Sequence, residues 1–369
     1  MKKLVLFLIL LCLCVLITKA VHYEVQTTEI KYNKFQYKER VTLNFLLENM
    51  SNNETAIYTN YLDFLNSNED IAKGKDILSE SQGLILLYLL NRDNKDGFDK
   101  VLKFSFDKMK LKNNTFAWKI RGNNYISNSN ALIDDFRILR ALIGAHDKWN
   151  DKIYMKYIKD ISDALLIYNT KGCIPIDFYD IEYGYKSDAI TISYLDIYTI
   201  NRLKSIDKRW NGIYQNSINI ILNSKIDNTP FYAYEYNLLD KRYSNEEQID
   251  LIQNMYTLIH LAEENIIEYK DIEWIYDEFE KYNKLYTLYS CKDFKPSTST
   301  ESTALYALTA RLFYICKDFE KAQLFLDQCE KFRIIESGSE LYGCFGNERN
   351  KEVYSFDNLQ YLVSSSILN

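Results

Sequence analysis

The sequence is poor in the two residues that make tight turns, with only 3 Pro and 11 Gly among 369 residues. Strands joined by hairpins draw on both, so their scarcity argues for helices joined by loops of Asn, Asp and Ser, and hence for an all-α protein. Histidine is scarcer still for chemistry: His22, His146 and His260 are the whole supply. A His-based metal centre or a Ser-His-Asp relay has almost nothing to draw on, and His146 and His260 read as structural helix residues. Beyond residue 20 the cysteines are Cys173, Cys291, Cys316, Cys329 and Cys344. An odd number without a C-x-x-C spacing is neither a disulfide framework nor a zinc site. No Gly-rich phosphate loop or dinucleotide fingerprint is present, so no cofactor and no metal are expected. Excess positive charge is missing too. The 45 basic and 51 acidic residues leave a net charge of −6, and no basic stripe interrupts the negative field. Nucleic acid is therefore disfavoured as a partner.

What is present is an ordinary globular composition, 47% hydrophobic and 26% charged, long enough for a sizeable core. The 31 Tyr, 19 Phe and 4 Trp would suit stacking on sugar rings, although an AT-rich coding bias yields the same Tyr, Asn, Ile and Lys excess. Lys2 and Lys3 precede an apolar run from Leu4 to Ile17, followed by Thr18, Lys19 and Ala20. These are the three regions of a secretory signal peptide. The run is shorter than the roughly 20 residues that span a bilayer, so residues 1–20 are expected to direct export, with an uncleaved anchor tethering the chain to the membrane as the alternative. Cys14 follows Leu13 rather than a small residue, which argues against lipid attachment there.

From residue 21 onward no linker rich in Pro, Gly or Ser divides the chain, and 21–369 reads as one domain. Leu132, Phe136, Leu139 and Ile143 recur at helical spacing, as do Met255, Leu258, Ile259 and Ala262, each set forming an amphipathic stripe. Similar stripes run through about 34–48, 52–67, 76–91, 96–110, 152–169, 186–203, 207–224, 268–286, 300–314, 318–332 and 352–367. With no sharp repeat at 34 or 40 residues, this succession fits a closed ring of helical hairpins better than an open solenoid. The predicted architecture is an (α/α)6 barrel of about twelve helices. Leu84 to Leu90, apolar all round, has the character of an inner helix.

Glu80 stands in Ser79-Glu80-Ser81-Gln82-Gly83, just before that apolar segment. An apolar wall raises a carboxyl pKa toward that of a general acid, whereas a helix N-terminus lowers it. The plainer reading is a capping box with Ser79 as N-cap and Gln82 three residues on. Asp134 and Asp135 open another stripe, and one of the pair should face the barrel axis. The dipole of a first helical turn would by itself explain both. Trp118, in Phe116-Ala117-Trp118-Lys119-Ile120, could stack on a sugar or belong to the core.

Taken in order, these segments resemble glycoside hydrolase family 8, and in particular its Gram-positive exopolysaccharide-hydrolase branch. Ser79 to Gly83 is similar to the family's general-acid segment, and Phe98 to Phe104 and Phe116 to Ile120 to the region holding a sugar-stacking Trp. Ile133-Asp134-Asp135-Phe136-Arg137-Ile138 is similar to the branch's I-D-D-L-R-I. Tyr342-Gly343-Cys344-Phe345-Gly346 and Tyr354-Ser355-Phe356-Asp357-Asn358-Leu359 resemble Y-G-A-F-G and S-F-D-N-L.

The resemblance spans about 70–365. It implies an (α/α)6 barrel whose open cleft cuts β-1,4 bonds with inversion. In inversion one carboxyl protonates the leaving oxygen while another activates a water on the opposite ring face. The resemblance makes Glu80 the acid and Asp135 the sugar contact at the cleavage point. The family's base lies in a Y-D-A-x-R segment, where this chain has Ser244-Asn245-Glu246-Glu247-Gln248-Ile249-Asp250. A gap-free superposition puts Glu247 at the base and Asp250 where Arg stands, which leaves Glu247 as base, Asp250 as base, or a water held in another way. Trp118, Tyr125, Phe345 and Tyr354 are candidate cleft aromatics, with Asp134 and Arg137 as polar partners. Arg137 could instead pair with Asp134 or Glu80 and set their protonation. The expected protein is a monomeric, secreted or surface-held endo-glycanase acting on an exopolysaccharide or β-glucan. Its rivals are a glycan-binding barrel without catalysis and a helical interaction protein in which Glu80 is only a cap.

Overall fold

The computed structural model describes residues 37–52, 55–63, 74–122 and 125–368; the expected signal segment lies outside them. Among these residues twelve α-helices follow one another: α1 (37–49), α2 (Ser79–Asn91), α3 (Lys95–Phe104), α4 (Leu132–Trp149), α5 (Lys152–Tyr168), α6 (Ile197–Leu203), α7 (Trp210–Asn223), α8 (Leu251–Glu263), α9 (Tyr269–Tyr282), α10 (Thr303–Ile315), α11 (Phe319–Cys329) and α12 (Ser355–Leu368). The even-numbered helices form a ring. α2 contacts α4, α4 contacts α6, and the series continues through α8, α10 and α12, which closes on α2. Odd-numbered helices stand outside, α3 on α2, α5 on α4, α7 on α6 and α11 on α10. This is an (α/α)6 barrel.

Burial follows from position in the ring. An inner helix meets the barrel axis on one side and an outer helix on the other, so a single apolar stripe is not enough. α10 accordingly buries every residue from Thr303 to Phe313. In α3 only Phe98, Val101, Leu102 and Phe104 are buried. The Asn, Asp and Ser of the loops serve as caps: Asn94, Asp151, Asp196, Asp250, Ser302 and Asp318 each accept first-turn N–H groups of the following helix. No described helix is long and apolar enough to cross a membrane.

Two predicted stripes are not helices throughout. Within 52–67, Ile57, Tyr58 and Asn60 are extended and bridge to Ser51, Ile77 and Tyr354. Within 186–203, Ala189–Thr191 is a strand and the helix is only Ile197–Leu203, started by the Asp196 cap. Short β-branched runs fit either period, and pairing with a neighbouring segment decides between them. Such short strands directly precede inner helices. Ile77–Leu78 pairs with Lys119–Arg121 and leads into α2, while Gln248–Asp250 pairs with Leu288–Ser290 and leads into α8. The loops at the N-terminal ends of the inner helices thus build one rim of the barrel.

The two C-terminal motifs are ties in this frame. The Asn358 side chain accepts the Phe345 N–H at 2.9 Å and donates to the Phe345 carbonyl at 3.0 Å. Asp357 accepts from Ser302 Oγ and the Ala304 N–H, both at 2.8 Å, at the start of α10. Gly343 has φ +90°, and a Cβ there would lie 2.1 Å from Val41, so only glycine fits.

Candidate active site

The first turns of α2 and α4 meet at the rim. Their close approach depends on Gly83, where a Cβ would stand 2.7 Å from the Arg137 Cβ. Leu78, not Ser79, is the N-cap of α2, and no side chain caps it. The Ser79 hydroxyl instead donates to Asp134 Oδ2 at 2.7 Å. Gln82 is fully buried with neither amide atom hydrogen-bonded among the described residues. The capping box is therefore not formed, and Glu80 is free for another task.

Arg137 Nη1 lies 2.6 Å from Asp134 Oδ1 and 3.5 Å from Glu80 Oε2. One guanidinium between two carboxyls balances a single negative charge, and Asp134 makes the closer contact. The proton therefore falls on Glu80. Burial pushes the Glu80 carboxyl up to about 7, opposed by Arg137 and reinforced by the charge of Asp134. Its side chain still opens 27% of its surface to solvent, so a ligand can reach it. Burial also raises Asp134, against the pull of Arg137 and Ser79. Below the trio, Tyr256 of α8 presents its ring 5.2 Å from the Arg137 guanidinium carbon.

Trp118 and Tyr125 are partly exposed neighbours of this cluster. The Trp118 carbonyl accepts the Ser79 N–H at 3.1 Å, and the Lys119 ammonium lies 4.6 Å from the Trp118 ring and 5.4 Å from that of Tyr125. Tyr354 is 46% exposed and precedes Ser355, whose hydroxyl is 3.1 Å from that of Ser81 on α2.

Asp250 caps α8 at the same rim. Its Oδ1 accepts the N–H groups of Ile252 at 2.8 Å and Gln253 at 3.2 Å, while Oδ2 has no partner among the described residues. The carboxylate lines a hollow of about 300 Å³ with Tyr234, Glu246 and Gln253, and burial raises its pKa. Glu247 is exposed and does not line that hollow.

Two expected site residues lie elsewhere. Asp135 is fully buried, its oxygens accepting the Phe116 N–H at 3.0 Å and the Asn130 amide at 2.5 Å. Phe345 is 1% exposed, packed against Tyr361 at 4.5 Å and beneath Arg333. Neither reaches the surface, because each is held by buried partners, Asp135 by Phe116 and Asn130 and Phe345 by Tyr361 and Arg333. Asp135→Ala is expected to lower stability by about 2–3 kcal/mol, by stranding a buried N–H and a buried amide, while kcat of the folded protein is unchanged. Thermal melts beside initial rates check this, and a selective loss of kcat would put Asp135 in the site.

One residue was missed. Asp177 accepts the Thr191 N–H at 2.7 Å and its hydroxyl at 3.0 Å, and burial pushes it up to about 6. Tyr194 is raised by burial and by the charges of both Asp134 and Asp177. The only sequence signal was its position in Pro175-Ile176-Asp177-Phe178-Tyr179, within a loop rich in aromatics.

The profile of the family described as Glycosyl hydrolases family 8 matches residues 51–230. YdaJ of Bacillus subtilis (strain 168), a candidate lipoprotein, is 30% identical over 328 residues, covering 87% of this chain and 84% of that protein. The structure of a Clostridium perfringens protein described as a novel alpha-amylase is 33% identical with TM-score 0.84, covering 89% of this chain and 97% of the other. PssZ from Listeria monocytogenes superposes with TM-score 0.69 at 22% identity, over 88% and 94% of the two chains.

Proposed function

This chain belongs to glycosyl hydrolases family 8 and is a glycosyl hydrolase, and from that premise we propose that it is an exported, surface-held endo-hydrolase of a β-1,4-linked exopolysaccharide. The observation that carries the reading is Glu80, raised to about 7 yet open to a ligand. A carboxyl with that pKa is protonated in part at neutral pH and can donate to a leaving glycosidic oxygen.

Arg137 and Asp134 hold this acid in place. Asp250 is the base: its Oδ1 is occupied by the α8 cap, and its Oδ2 is left to take a proton from water on the far side of the sugar. This division needs two separated carboxyls, as inversion does. Trp118, Tyr125 and Tyr354 offer flat apolar faces to sugar rings, and Asp134 and Arg137 offer hydrogen bonds. Export rests on the Lys2 to Ala20 segment, and surface retention on the kinship with YdaJ.

A second reading, an α-1,4-glucan as substrate, is favoured by the Clostridium perfringens relative. Both readings are tested by incubating wild type and Glu80→Gln with β-1,4-glucans, β-1,4-hexosamine polymers, soluble amylose and exopolysaccharide from the producing cells. New reducing ends are counted and the first anomer is read by NMR. Release of α-anomer from a β-linked polymer, lost in the variant, is the expected result. Release of β-anomer from amylose alone would move the substrate to α-glucans. No release from any polymer, with binding retained by both proteins, would leave a glycan-binding barrel.

A further inference from the structure

The barrel has a second hollow at the end away from Glu80. The inner helices, mostly through their C-terminal halves but α6 from its first turn, enclose a cavity of about 660 Å³ with a mainly apolar wall that includes Leu87, Ile143, Ile259, Ile315, Val363 and Ile367. That size lies within the roughly 300–1,000 Å³ of small-molecule sites, which combine apolar walls with a few placed polar groups. Arg137 and Tyr256 line it from the side of the catalytic rim.

At depth one guanidinium stands apart from the ion pairs of the wall. Arg140 pairs with Asp196 and Glu263, and Arg202 with Asp147. Lys317 lies at the exposed mouth. Arg311 is 8% exposed, and no carboxylate lies within 4.0 Å of it among the described residues. Its Nη2 donates to two neutral groups, Gln360 Oε1 at 2.9 Å and Ser364 Oγ at 3.2 Å. Its Nε is buried with no hydrogen-bond partner. Burial and the charges of Arg140 and Arg137 outweigh the more distant support of Glu263 and draw its pKa down to about 10, still cationic at neutral pH. On the same wall, His260 is 3% exposed, and its Nδ1 makes no hydrogen bond among the described residues but faces Asp196 at 3.9 Å and Glu263 at 4.0 Å.

A metal ion does not answer this arrangement. Asp196, His260 and Glu263 offer ligand atoms within 4.8 Å of one another, but Arg140 already lies against both carboxylates. The two Asp196 oxygens also accept from the Thr199 N–H and hydroxyl at 2.9 and 2.6 Å. A second cation there would meet a guanidinium instead of open lone pairs.

We propose that this cavity is a binding site for a singly charged amphipathic anion, a medium-chain carboxylate whose head pairs with Arg311 and whose chain lies along Ile143, Ile259 and Val363. A guanidinium with an open N–H and no carboxylate in contact takes one carboxylate head, and Asp196 and Glu263 on the neighbouring wall repel a dianion. The unpaired Nε supplies the hydrogen bond that the head accepts.

Calorimetric titration of the intact protein with octanoate tests this, with 1-octanol and inorganic phosphate as comparison probes and with Arg311→Met and Arg311→Lys beside wild type. The expected result is one saturable octanoate site, weakened about thirtyfold or more in Arg311→Met and largely recovered in Arg311→Lys. Octanol and phosphate should bind far more weakly. Octanoate should also raise the melting temperature of wild type and not that of Arg311→Met. Equal binding of octanol and octanoate, saturation by phosphate alone, no octanoate binding at millimolar concentration, or unchanged affinity in Arg311→Met would each overturn the proposal. Should Arg311→Met fail to fold, the octanoate-against-octanol comparison on wild type decides.

Discussion

Glu80→Gln is expected to lower kcat on the cleaved polymer by about 10²- to 10⁴-fold while KM changes little. The amide keeps the shape and the neighbours of the carboxyl but has no proton to give. In wild type the rate should fall as pH rises through about 7, where Glu80 ionises. That alkaline limb should vanish from the residual activity of the variant. The substitution should raise stability where it lowers activity. The Glu80 carboxyl has its pKa raised on folding from an ordinary 4.5 to about 7, so the folded state holds a proton that the unfolded chain releases between those values. Wild type therefore loses stability as pH rises through that window. Glu80→Gln escapes this loss, melting higher than wild type at pH 8 with the gap closing below pH 4.5. Rate profiles and melts at several pH values check both halves. A variant that loses activity and also melts lower at pH 8 would mark Glu80 as structural.

Arg137→Met is the second large effect, expected to cost about 3–5 kcal/mol of stability because it strands Asp134 as a buried, unpaired charge. Both side chains of that pair are 8% exposed, so water cannot take over from the guanidinium. Catalysis should change in a way that a packing role would not produce. Arg137 lowers the Glu80 pKa and Asp134 raises it. The alkaline limb of the rate profile should therefore move to higher pH in Arg137→Met and to lower pH in Asp134→Asn. Chemical denaturation gives the stability loss, and pH-rate profiles give the two shifts. Limbs that stay in place in both variants would remove the pair from control of Glu80.

The ring of helices was legible because its signal is local and repeated. Apolar residues at spacings of three and four mark each helix, and the all-round apolar run at Leu84 to Leu90 marks an inner one. The two misread stripes, 52–67 and 186–203, are short segments where helix and strand periods coincide. Pairing with distant residues, Tyr58 with Ile77 for instance, settles them. In the site, Glu80 stood out from its neighbours, but the choice between Asp134 and Asp135 could not be made from spacing. Adjacent helical residues point about 100° apart, and the ring alone sets which direction is the rim.

By itself the sequence determined the all-α architecture and the barrel, since periodicity and few turn residues are properties of neighbouring residues, and it named the candidate acid through the resemblance of Ser79 to Gly83 to the family's acid segment. Tertiary structure alone decided the electrostatics. Glu80, Asp134 and Arg137 come from two helices that Gly83 lets approach, Asp177 and Asp250 from loops far away in the chain, and Arg311 from a third helix. Whether a carboxyl holds its proton, or a guanidinium lacks a carboxylate in contact, depends on through-space distance and burial, and neither is written in the order of residues along the chain.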